Sequence, residues 1–151
     1  KRQSEVSSAP AQLNAARTLL ALSALLGWET SVRDAGQAWI QASLLDPCPR
    51  TGKLRPHTWV RLPKAWWPDE WHNRGFIDSV VLLTRALYDH PESCAIWEGH
   101  LGHRLRKLTW RDLFGWPSVW LLYDQGKCVG SLVIYVDDLM LGSAARDHLS
   151  L

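Results

Sequence analysis

The alternation of apolar and polar positions divides the chain into a few clear runs. From Ala11 to Leu26 apolar residues recur at spacings of three and four, the period of one helical face, and Gly27 stands where such a helix would stop. Trp28 to Arg33 predicts a short strand, and Ala35 to Leu45 can follow as a helix before the Pro-rich stretch Asp46 to Pro56 breaks it. Thr58 to Leu62 predicts another strand, and Pro63 to Phe76, with Trp66, Trp67, Pro68 and Trp71, an aromatic loop. Ile77 to Trp110 is mostly helical in character. It predicts two pieces, because Pro91 lacks a backbone donor and pushes His90 out of helical geometry. The apolar runs Val119 to Tyr123 and Val129 to Tyr135 flank Asp124-Gln125-Gly126-Lys127, which has the composition of a hairpin turn. A second turn, at Asp137-Asp138, leads into Leu139 to Gly142.

Together these elements predict an α+β fold: a small antiparallel sheet, built from the strands at Trp28, Thr58, Val119 and Val129, packed on one face by helices. At 151 residues the chain fits one domain. Chains of this size bury roughly 68–70% of their unfolded surface, enough for a real core. The formal charge of +2 neither demands nor excludes a nucleic-acid partner. Ten tryptophans are many, and flat side chains serve cores, interfaces and base stacking alike. Cys48, Cys94 and Cys128 are odd in number and widely spaced, against a disulfide framework or a zinc site and in favour of a reducing intracellular setting. Leu19 to Trp28 is too short to span a bilayer, and no signal-peptide cleavage pattern follows it. The polar stretch Lys1 to Pro10 reads as a linker. With no starting Met and an apparent helix beginning near Ser143, the chain reads as a piece of something longer.

Candidate chemistry concentrates in the acids. Asp137 and Asp138 close the apolar run from Val129 to Val136, and like charges this close need a bound cation or a solvated turn. Asp34 lies far away in sequence, but also at the carboxyl end of a predicted strand. Strand ends can converge on one sheet edge. Three carboxylates meeting there could hold two divalent cations about 3.5–4 Å apart, the arrangement used in phosphoryl transfer. Magnesium suits such a site, since it prefers a few carboxylates plus substrate phosphates. His100-x-x-His103 lacks a third ligand and reads as a solvated face, as does Arg104-x-Arg106-Lys107.

Three stretches, Ala16 to Trp39, Arg85 to Trp97 and Leu132 to Gly142, resemble the palm of reverse transcriptases encoded by copia-type retrotransposons. The matching elements are Leu25-Leu26-Gly27-Trp28-Glu29, the Asp-x-x-x-Ala-aromatic pattern from Asp34 to Trp39, and Tyr135-Val136-Asp137-Asp138. Ser8-Ala9-Pro10 is similar to the Ser-Pro element that precedes the helix. The resemblance implies that residues 1–10 link from a fingers region and 11–151 form a partial palm without its thumb. Asp34, Asp137 and Asp138 would bind two Mg2+ ions, with Mn2+ as an alternative. The reaction would be template-directed addition of deoxynucleotides to a primer 3′ hydroxyl.

The implied partners are an RNA template, a DNA primer, deoxynucleoside triphosphates and the fingers, thumb and ribonuclease H of a polyprotein, with no membrane. The setting would be cytoplasmic, in the virus-like particle of a retroelement, or nuclear. Amides near Gln37 and Ala38 could meet phosphate oxygens at a helix amino end. Trp39 matches the position whose bulk favours deoxy substrates, though it also reads as a core tryptophan. Arg85 to Ser93 aligns with the family's Leu-Tyr-Gly stretch, which shapes the nucleotide pocket through Tyr88 and Asp89. Asp89 replaces the usual glycine, adding bulk and negative charge beside a triphosphate, and Pro91-Glu92 replaces the family's Lys-Gln. The isolated fragment is expected to be inactive. A decayed palm that binds nucleic acid or protein, and a structural domain whose Asp-Asp turn has no chemical role, are the rival expectations.

Overall fold

The computed structural model of the protein describes residues 10–48 and 52–145, so most of the expected linker and the Ser8-Ala9 part of the Ser-Pro element lie outside the described residues. Helix α1 (Leu13–Leu26) stops at Gly27, which turns left-handed at φ 64 while the Trp28 N–H bonds the Ser23 carbonyl at 2.8 Å. Only glycine makes that turn without steric cost. It delivers the chain directly into β1 (Glu29–Asp34). The apolar period of α1 is legible, but its docked stripe is Ala15, Leu19 and Ser23, while Leu13, Leu25 and Leu26 face outward.

Near the carboxyl end, β5 (Val119–Asp124), β6 (Lys127–Tyr135) and β7 (Asp138–Ser143) form two successive hairpins. The first turns on Gln125 (φ 46) and Gly126 (φ 80), the doubly left-handed geometry that matches strand twist. With β4 (Arg111–Asp112) they form an antiparallel sheet of five strands in the order β1-β7-β6-β5-β4. A mixed α+β fold with a small antiparallel sheet is therefore present.

Its details differ from expectation in five places. The strand near Thr58, β2 (Trp59–Arg61), is not in this sheet. It pairs with β3 (Val80–Leu82) in a separate two-stranded sheet, and the fifth place in the main sheet goes to β4. The same pairing overturns the first of the two helices expected between Ile77 and Trp110. The β-branched pair Val80-Val81 takes extended geometry, and only α4 (Ser93–Lys107) is a long helix there, beginning two residues after Pro91. The helix expected from Ala35 to Leu45 shrinks to the single turn α2 (Ala38–Gln41). Ala42 leaves it in extended geometry to accept a bond from the Ala86 N–H, and Ser43 bridges Arg85. Within the aromatic loop, Lys64–Trp66 forms a 3-10 turn and α3 (Asp69–Asn73) one helical turn. Ser143 closes a strand and does not start a helix.

The fifth difference concerns the layers. Adjacent residues of a strand point to opposite faces. Leu132 and Ile134 pack in one buried cluster with Leu105 of α4, whereas Val133 packs in another with Ala15 and Leu19 of α1. The sheet thus lies between α1 and α4, and not beneath helices on one face only. Gly142 lets α1 come close: a Cβ there would collide with the Ser23 hydroxyl and press on Leu19. Among the described residues, no helix is long and apolar enough to cross a membrane.

Candidate functional site

Strand register settles where the acids go. β1 and β7 pair antiparallel with Asp34 directly opposite Asp138, and Tyr135 faces Asp138 across the β6–β7 hairpin. Opposed residues of antiparallel strands have Cα atoms roughly 4.5–5.5 Å apart and side chains on one face. That face is the α1 side, because Val32, Val133 and Met140 share its parity. Asp137 sits in the hairpin turn itself, and its carbonyl accepts the Ala35 N–H at 2.8 Å. The residue after Asp34 is thereby tied to the turn between Tyr135 and Asp138. The backbone brings all three expected aspartates to one end of the sheet.

The three acids differ in exposure. Asp34 and Asp138 are exposed and Asp137 is half-buried. Among the described residues none of the three is paired with a lysine or arginine, and the neighbouring Arg33 guanidinium instead donates to the Ser31 hydroxyl at 3.1 Å. Unpaired carboxylates brought to one sheet end repel, which a divalent ion between them would reverse. As placed, the side chains do not close into a ligand cage: among the described residues no group of three or more His, Cys, Asp or Glu is arranged to hold a metal. Magnesium does not require one, since it takes one or two carboxylates and completes its shell with water and phosphate oxygens. The donor set, all carboxylate oxygen with no competing cation, fits such an ion. Beside it, a cleft of about 460 Å³ runs between α1 and the sheet, lined by Leu13, Val32, Tyr135, Asp138 and Met140 among others.

The turn that carries Asp137 is strained. Val136 has φ 59, whereas Asp137 has no positive φ, the pattern of a II′ hairpin turn with valine where glycine is usual. A β-branched residue in this region costs on the order of 1–3 kcal/mol and persists only where its surroundings over-determine it. Here they do. The Trp97 indole N–H, from the second turn of α4, bonds the Val136 carbonyl at 2.7 Å, and the Ala35 bond holds the next carbonyl. Neither partner was visible in the sequence. Trp97 ends the stretch from Arg85 that shares in the resemblance, but nothing in spacing links it to a turn 39 residues on.

The residues expected around a nucleotide also gather. Trp39, on α2, meets Tyr88 edge to face with ring centroids 4.2 Å apart. Trp39 is half-buried against the cluster of Ala42, Leu44, Ala86 and Ile96, so it has a packing role, while its indole nitrogen is buried without a partner. Tyr88 is exposed. Asp89 adopts φ 64, a conformation that glycine takes freely and that aspartate tolerates better than most residues. Gln37, at φ 56, and Ala38 begin α2, but a helix of four residues aligns few peptide dipoles. The helix behind the amides of Gln37 and Ala38 is a single turn.

His100 and His103 prove to be unlike each other. His103 is exposed, but His100 is half-buried and stacks on Trp97 with centroids 6.0 Å apart, so it is not on the solvated face expected for it. Burial, and then the Arg104 charge, push its imidazole pKa below 6.5, against a smaller opposing pull from Asp46. Arg106 lies over the Trp120 ring at 5.0 Å and bonds Asp112, which leaves Arg104 and Lys107 as exposed charges.

Comparison of the chain with protein-family models, with curated proteins and with solved structures finds no match.

Proposed function

We propose that this chain is the palm of a copia-type reverse transcriptase, a template-directed DNA polymerase whose catalytic acids are Asp34, Asp137 and Asp138. The observation that carries the reading is the register that sets Asp34 opposite Asp138, with Ala35 bonded to Asp137. Two acids that are far apart in sequence share one sheet end, as the resemblance requires. The left-handed Asp89 is a second support: the family's glycine falls at a position whose backbone here has φ 64.

In this reading the three carboxylates hold two magnesium ions, which when bound lower the pKa of the primer hydroxyl and neutralise the triphosphate. The chain's own contribution is position and charge. The β1–β7 pairing fixes two acids and the strained turn aims the third. Trp39 and Tyr88, packed edge to face, form the wall against which a sugar and base would rest. In this family fingers and thumb grip the duplex, so the palm alone is expected to be inactive, for want of the contacts on which affinity for nucleic acid depends.

Primer extension on an RNA template, by the palm joined to fingers and thumb, tests the proposal. Magnesium-dependent extension is expected, and Asp137→Asn should abolish it. Extension that survives this substitution would refute the assignment. A second reading, a catalytically decayed palm that binds nucleic acid, is favoured by the negative charge of Asp89. It predicts template binding in the same protein without extension.

A further inference from the structure

The hydrogen bond from Trp97 to the hairpin reaches past the packing role of a buried tryptophan. We infer that Trp97 is a positioning residue for the metal-binding aspartates, acting by holding the peptide plane between Val136 and Asp137 in one of two orientations. This inference rests on the polymerase reading of the same acids.

Turns of types I′ and II′ differ chiefly in the orientation of their middle peptide, and that peptide here is the one whose carbonyl belongs to Val136. In the observed II′ pattern only Val136 is left-handed. Flipping the plane would give type I′ and make Asp137 left-handed as well, a conformation that aspartate tolerates. The alternative is therefore accessible to this sequence, and it would re-aim the Asp137 side chain away from its present relation to Asp34 and Asp138. A valine does nothing to favour II′ at this position, where glycine is the usual residue. What selects the observed state is external. The indole N–H of Trp97, itself 3% exposed and fixed in α4, captures the Val136 carbonyl at 2.7 Å. The Ala35 bond cannot substitute, because it holds the carbonyl of Asp137, on the other side of the plane in question.

The test uses Mn2+ binding by this chain, followed by the electron paramagnetic resonance of the free ion, with thermal unfolding in parallel. Trp97→Phe, which keeps a ring and removes the N–H, should weaken Mn2+ binding about tenfold. Adding Val136→Gly, which restores an intrinsic preference for II′, should recover most of that loss. A general packing defect would not be rescued by a substitution in the turn. Mn2+ binding that depends on the aspartates but is unchanged in Trp97→Phe overturns the role of Trp97 and leaves the polymerase reading in place. Binding by the parent chain that Asp34→Asn, Asp137→Asn and Asp138→Asn together fail to reduce removes the metal reading, and this inference with it. Should Trp97→Phe not fold, the assigned Trp97 indole N–H resonance of the parent chain serves instead. It should shift on saturation with Mg2+, and a resonance that stays put overturns the inference.

Discussion

At the level of single residues, the informative positions are those held in conformations their side chains do not favour. Asp89 stands at φ 64, where glycine meets no steric penalty and alanine meets the full one. Thermal unfolding should therefore rank Asp89→Gly above the parent chain and Asp89→Ala below it, with steps of about 1 kcal/mol. His100 makes a prediction of a different kind. Its folded-state pKa lies below 6.5, so as pH falls the unfolded chain takes up the proton first. Stability is then fully present above pH 6.5 and declines below it, until the buried imidazole itself titrates. Denaturant unfolding from pH 7.5 downward should show this slope, and His100→Asn should flatten it. Among the candidate residues, the aspartates were legible because acids at the ends of apolar runs stand out. Trp97 and Ala35 were not, because one acts through an indole N–H and the other through its backbone, and neither leaves a mark on spacing.

Among the elements, those defined by local chemistry were legible and those defined by distant partners were not. The stop at Gly27, the Gln125-Gly126 turn and the runs that became β5, β6 and β7 follow from residues within a few positions of each other. By contrast, α2 is cut short by bonds to Ala86 and Arg85, and β3 exists because β2 lies beside it. Helical period in the sequence cannot anticipate a tertiary pairing that outbids it. The contact between α1 and the sheet depends on a position of that second kind. Since a methyl group at Gly142 has no room beneath Ser23 and Leu19, Gly142→Ala should destabilise the protein by about 2 kcal/mol. Chemical denaturation would measure it, and Ser23→Gly in the same chain should return part of the loss.

For the molecule as a whole, the acids and the fold are coupled through binding. If the three carboxylates share divalent ions, Mg2+ at a hundred times its Kd should stabilise the chain by about 2.7 kcal/mol. The shift in Tm should vanish in Asp34→Asn, while a domain whose Asp-Asp turn serves only as a turn would show no shift at all. The order of strands adds a further consequence. Among the described residues β1 is an edge strand whose strand partner is β7, yet it supplies Asp34. The acids at 137 and 138 belong to a hairpin whose two strands are both interior. Fraying at this margin would disassemble the constellation while the rest of the sheet stayed intact. Amide protons of β1 should accordingly exchange with solvent well before those of β6, and ion occupancy should slow the first set far more than the second.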